Sequence, residues 1–271
     1  ESSVVFLTGL LCSAFVFNIA LPGPVGEGIS SWLVSKKYSF SFSEALASLG
    51  LSRIVGLSSA CFIAAVVYVI APFEIAEDLG VVLPVTAAIL LLISLSLILV
   101  TFFPRYPHLW LQKIKDIPFL SPRPIQGLLS LVENLLEALL ATTSRGMRAY
   151  LHSLGWAMMG HCMVGVGIYC ATIAMGMTPP WSAVLFTYSA SIAGSVAMFM
   201  LPGSTIGWDI LFGTTLAITA KLPTPVAIAV TAVVRIQQIL VALWGIGVVS
   251  FYAKDFLSEL PKSFRDRSKI E

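Results

Sequence analysis

Glu27, Arg53, Asp209 and Arg235 are the residues of this sequence whose types and spacing are best suited to binding an ion or a charged group. They form two carboxylate–arginine couples with one separation, 26 residues from Glu27 to Arg53 and 26 from Asp209 to Arg235. Each couple follows a Leu-Pro-Gly triplet, one at Leu21 and one at Leu201, 180 positions apart. The text around the arginines is alike as well, EALASLGLSRIVGL against VAIAVTAVVRIQQIL. A guanidinium forks onto two oxygens of a carboxylate or a phosphate. Two uses of the couples follow, and they are compatible. Each couple staples a broken helix to its neighbour, or its arginine is shared with an anionic ligand. The Pro-Gly steps add a second attraction for anions, because a helix starting behind such a break exposes unpaired N–H groups and the positive end of its dipole. Gly23, Gly26, Gly203, Ser204 and Gly207 therefore join Glu27, Arg53, Asp209 and Arg235 as candidate substrate-binding positions.

Other reactive side chains point to less. Cys12, Cys61, Cys162 and Cys170 all fall in apolar stretches without a CxxC motif, and read as small buried hydrophobes. His161, beside Gly160, Gly165 and Gly167, reads first as a helix-packing residue and second as a proton relay. Tyr188, Ser189, Ser191 and Ser195 either line a cavity or hydrogen-bond across helices, and Asn18 is placed to serve carbonyls freed by the first break. No nucleophile with a neighbouring base and no metal-ligand cluster is evident. No catalytic residue, metal or cofactor is expected.

The elements that must position these residues are membrane helices. Hydrophobic residues make up 57% of the 271 positions, charged residues 11%, and the mean hydropathy is +0.91. Soluble domains carry about 25% charged residues, so much of the usual solvating charge is missing. The sixty positions between Arg148 and Asp209 contain no Asp, Glu, Lys or Arg. A hydrocarbon core about 30 Å thick needs roughly 20 apolar residues per helix. Lipid offers no hydrogen-bond partners, so the spans must be helical. The expected fold is an all-α polytopic membrane protein, one domain over residues 1–271.

Apolar helices are expected at Ser3–Ala20, Phe42–Ala71, Val81–Phe103, Ala149–Met175, Trp181–Met200 and Pro223–Ala253. Short broken or re-entrant helices follow the two Leu-Pro-Gly triplets, Gly26–Ser35 and a Gly- and Thr-rich helix ending near Ala220. Gly127–Thr143 is amphipathic between basic flanks and is expected to lie in the interface. Lys and Arg concentrate on the cytoplasmic side. This places Lys36-Lys37, the basic stretch from Arg105 to Arg148 and the tail 254–271 inside, and Glu74–Asp78 and Pro179-Pro180 outside. The first copy (about 3–72) and the second (about 181–253) then run in opposite directions. Inverted repeats with broken helices at matching places point to a transporter site near the midplane. At 1.5 Å per residue, Arg53 lies roughly 16 Å into its helix and Arg235 roughly 18 Å into its own. The chain opens on Glu1 and turns apolar at once, which leaves open whether further helices precede it.

The segments NIALPGPVGEGISSWLVSKK and FMLPGSTIGWDILFG, each followed by its arginine helix, resemble the two motifs of the lysylphosphatidylglycerol synthase transmembrane-region family. The likeness covers most of the chain. Val25 stands where that family usually has a basic residue, and Asp209 where it has Glu. The resemblance implies a flippase-like domain, with relatives that move aminoacylated phosphatidylglycerol or are linked to lipid-bound sugars. No soluble transferase domain is expected within these 271 residues. The leading expectation is a flippase for an anionic phospholipid or lipid-linked headgroup in the cell membrane. The alternatives are a lipid-headgroup-modifying enzyme and a scaffold docking a cytoplasmic enzyme through Arg105–Arg123. The expected partners are membrane lipids with anionic headgroups, not nucleic acid; a homo-oligomer and a cytoplasmic partner enzyme remain open.

Overall fold

The computed structural model of the chain describes residues 3–20, 25–71, 82–103, 109, 133, 137, 147–198, 204–252 and 254, and every count and absence below refers to these residues. They form eight α-helices and no strand: α1 Val4–Ala20, α2 Val25–Tyr38, α3 Phe42–Ile70, α4 Val82–Phe102, α5 Met147–Ala174, α6 Trp181–Met198, α7 Ser204–Thr219 and α8 Thr224–Tyr252. Three stretches are long and apolar enough to cross a membrane: Phe42–Ile70, Arg148–Ala174 and Thr224–Tyr252. Val4–Ala14 and Pro84–Leu99 are apolar but shorter. The chain is therefore an all-helical membrane protein. Gly127–Thr143 falls outside the described residues apart from Glu133 and Glu137, both helical.

The two Leu-Pro-Gly triplets introduce the same order of elements. A short helix follows each, α2 with 14 residues and α7 with 16, and then a helix of 29 residues, α3 or α8. Each short helix ends at a non-glycine residue in the left-handed region, Ser39 at φ 56° and Lys221 at φ 51°. Each long helix starts three positions after that residue, at Phe42 and Thr224. Each arginine is then the twelfth residue of its long helix, Arg53 in α3 and Arg235 in α8. The end of α7 shows why the chain turns there. Leu222 N–H donates to Ala217 C=O at 3.1 Å around the left-handed Lys221, a Schellman closure that satisfies a free carbonyl. Gly176 closes α5 in the same way, with Met177 N–H on Thr172 C=O at 3.0 Å. Helix α2 runs to Tyr38, three residues beyond the expected Ser35, because its last turn is held by aromatic contacts described below.

The chain divides into two compact units, one from Glu1–Phe42 with Arg235–Glu271 and one from Ser43–Val234. In the first unit, Phe6, Leu10 and Leu33 form the core, packed by Ile29, Trp32, Tyr38 and Val249. Helices α1 and α8 meet there at backbone distance. A Cβ added at Gly245 would stand 2.6 Å from both Gly9 O and Ser13 N. Small residues permit this approach where lipid supplies no hydrophobic drive between helices. In the second unit, α6 packs along α7 and against α5. Its core gathers Ile168, Val184, Phe186, Phe212, Leu216 and Val230. Two hydrogen bonds of buried hydroxyls join helices within it: Ser94 Oγ donates to Ser58 C=O at 2.9 Å, joining α4 to α3, and Thr187 and Thr219 share a hydrogen bond between α6 and α7. Of the four free cysteines only Cys61 is buried, and Cys170 is exposed on α5, contrary to the expectation of uniform burial. A wholly apolar environment removes the pressure to hide so small a side chain.

Candidate functional site

Glu27 is the third residue of α2, where a carboxylate gains from the positive end of the helix dipole. It is half-buried with Oε2 fully enclosed, and Gly26 beside it is buried. Ser31 Oγ donates to the Glu27 backbone carbonyl at 2.7 Å, which ties the first turn of α2 together. Asp209 is half-buried in the second turn of α7, next to Trp208, whose ring stacks on Phe212 at 4.9 Å and 3°. Arg235 is half-buried, and its Nη1 donates to Gln238 Oε1 at 2.9 Å one turn along α8. Arg53 is exposed on α3. None of the four stands without an interaction partner. Glu27 and Arg235 belong to the first unit, Arg53 and Asp209 to the second, so each couple expected from spacing draws one member from either unit. Ser204 opens α7 and Gly207 is half-buried in its first turn. Gly23, Gly203 and the side chains of Asn18, Ser195 and Ser204 lie outside the described residues.

A second polar centre lies within the Ser43–Val234 unit. His161 Nε2 stands 3.0 Å from the Gly56 carbonyl, which accepts only, so Nε2 carries a hydrogen and donates. In the neutral ring Nδ1 is then an acceptor, and it receives the Tyr188 hydroxyl at 3.4 Å. The two rings lie 5.8 Å apart at 55°. Ser59 Oγ donates to the same Gly56 carbonyl at 2.8 Å. His161 thus links α5 to α3 and to α6, the packing use expected of it. The sequence contained the histidine and its glycine-rich setting but not its partners, which lie 105 and 27 residues away.

A third cluster closes the end of α2. Lys37 Nζ sits 3.8 Å over the Phe6 ring and 4.6 Å from the Tyr252 ring. Burial lowers the Lys37 ammonium from its ordinary range. The ring faces replace part of the lost hydration, since aromatic quadrupoles attract a cation. Ser3 N–H donates to Tyr38 Oη at 3.0 Å, and Phe6 meets Tyr38 edge-on at 6.1 Å. Nothing in the spacing of Phe6, Lys37 and Tyr252 announces this contact.

No curated protein and no solved structure matches the chain. The two helix-breaking motifs, their arginines and the membrane helices between them all lie within residues 1–245, the stretch matched by the profile of the family described as Lysylphosphatidylglycerol synthase TM region, and the chain belongs to that family.

Proposed function

We propose that the chain is a transporter that moves an anionic phospholipid or lipid-linked headgroup between the leaflets of the cell membrane, without altering it chemically. One observation carries this. Two arginines occupy the twelfth position of two 29-residue apolar helices, and each follows a short carboxylate-bearing helix set behind a Pro-Gly break. An arginine deep in a membrane helix costs about 2.5–3.5 kcal/mol on insertion scales. Repeating that cost at matched places is reasonable where the guanidinium serves an anion. The basic segments flanking the helices support opposite directions for the two copies and a cytoplasmic C-terminal tail, an arrangement suited to alternating access. Glu27, Gly26 and Arg235 in the first unit, and Arg53, Asp209 and Gly207 in the second, are the residues each unit offers to an anionic headgroup, while the acyl chains stay in lipid.

The test follows labelled phosphatidylglycerol across the bilayer of reconstituted vesicles, with the mass of the lipid checked before and after. Movement of unchanged lipid supports transport. A new chemical species identifies an enzyme instead. Equal rates with and without protein, over a panel of anionic and sugar-linked lipids, would sink the transport role. Arg235→Lys should retain only part of the rate, because an ammonium does not make the bidentate contact.

A further inference from the structure

We propose that His161 is a proton-binding site at mid-membrane that couples proton movement to the movement of the anionic headgroup, a role that rests on the transport function proposed above. Depth is the first support. Gly56 is the fifteenth of 29 residues in α3, His161 the fifteenth of 28 in α5, and Tyr188 the eighth of 18 in α6. The centre of one helix therefore meets the centres of two others, about 21 Å from the start of α3 at 1.5 Å per residue. Ionisable groups at such depth mark ion and proton paths. Histidine is the side chain that changes charge near neutral pH.

The hydrogen bonds fix where the proton goes. The Gly56 carbonyl holds the hydrogen on Nε2, so Nδ1 is the one ring atom left to bind or release a proton. When it is bound, Nδ1 donates to the Tyr188 oxygen, and the hydroxyl that had been a donor becomes an acceptor. One proton added at this atom thereby reverses the polarity of the α5–α6 link. His161 and Gly56 are half-buried and Gly160 is exposed, and a Cβ added at either glycine would meet nothing within 4 Å. On the inner side, Ser191 lies one turn beyond Tyr188, 1% exposed, and its buried Oγ has no hydrogen-bond partner among the described residues.

The surrounding charges set the sign of the coupling. Helix α6 offers no ionisable side chain but Tyr188. Helix α5 has Arg148, Tyr150, His152, Cys162, Tyr169 and Cys170 besides His161, and no carboxylate. Helix α3 has Arg53 one turn before Gly56, Cys61, Tyr68, and its carboxylate Glu44 three turns away. Asp209 is on α7, which packs along α6. A proton on His161 therefore adds positive charge one turn along from Arg53. An anionic headgroup at Arg53 favours that proton, and the proton favours the headgroup to the same extent. A proton and a monoanionic headgroup moving together carry no net charge.

The experiment uses the full chain in vesicles of phosphatidylcholine and phosphatidylglycerol, with labelled phosphatidylglycerol, a trapped pH dye and the membrane potential clamped at zero. Coupling of one proton per lipid gives about a tenfold leaflet asymmetry of labelled lipid per unit of pH difference. The label should gather in the leaflet facing the alkaline side. His161→Gln keeps an amide donor for the Gly56 carbonyl but takes up no proton; it should exchange lipid with no asymmetry. Should this variant fail to fold, Tyr188→Phe decides, and its pH profile should shift from that of the unaltered chain. Lipid movement without asymmetry in the unaltered chain overturns the coupling and leaves transport standing. Asymmetry that survives in His161→Gln, or an unshifted profile in Tyr188→Phe, also overturns it. If the unaltered chain moves no lipid, the transport role fails and the coupling fails with it.

Discussion

Gly245 and Gly247 stand two positions apart on α8 and meet opposite surroundings. A Cβ at Gly245 runs into Gly9 O and Ser13 N, backbone atoms that do not swing aside, whereas one at Gly247 meets nothing within 4 Å. Overpacking of this kind costs about 1–3 kcal/mol. Gly→Ala at an unobstructed helical site gains about 0.4–1 kcal/mol. Gly245→Ala should therefore lower the thermal midpoint in detergent, and Gly247→Ala should leave it unchanged or raise it. If both variants melt alike, α1 and α8 do not approach as closely as described. Neither outcome is readable from the sequence, where both are glycines on one helix. The four charged residues, by contrast, were legible because an apolar background makes any charge conspicuous. The Arg235–Gln238 bond has a signal in its i, i+3 spacing, while the acceptor for His161 is a backbone carbonyl, which carries no letter of its own.

Helix boundaries were legible wherever proline or glycine marks them. Helix α3 ends at Ile70, two residues before Pro72, and α6 begins directly after Pro179-Pro180. The end of α2 was not, because Lys37 and Tyr38 look like the start of a polar loop until Phe6 and Tyr252 are placed beside them. Cation–π contacts are worth about 0.5–2 kcal/mol depending on desolvation. Replacing Lys37 with Gln should cost an amount in that range, and Lys37→Arg should retain most of it, as read by denaturant titration of the reconstituted chain. A loss below the range for Lys37→Gln would mean the ammonium is held by water rather than by the rings. Between α4 and α3, Ser94→Ala removes the Oγ donor to the Ser58 carbonyl. Interhelical hydrogen bonds in membranes average about 0.6 kcal/mol, so this change should be mild, and additive with Lys37→Gln because the two residues lie in different units.

At the scale of the whole molecule, the paired order of a short helix, a left-handed residue and a 29-residue helix was only half visible in the sequence. The equal 26-residue spacing gave it away, but insertions between triplet and carboxylate hid the rest. Charge asymmetry predicts the orientation, and labelling checks it. In a chain freed of its four native cysteines, new cysteines at Lys115 and Lys262 should react only from the cytoplasm, and one at Glu77 only from outside. If 115 and 262 report opposite sides, Gly127–Thr143 crosses the membrane and the two copies are not inverted. The backbone contact between Gly9 and Gly245 also has a consequence in time. Its partners are 236 positions apart (245 − 9), and the ribosome delivers α1 long before α8 exists. At about 5–20 residues per second of synthesis, α1 waits in the bilayer for some tens of seconds with its Gly9 face uncovered. The Ser43–Val234 unit is complete before that wait ends. Synthesis thus delivers the whole middle unit before the Gly9 face can be covered, and a lesion in α8 around Gly245 leaves that face of α1 without its partner.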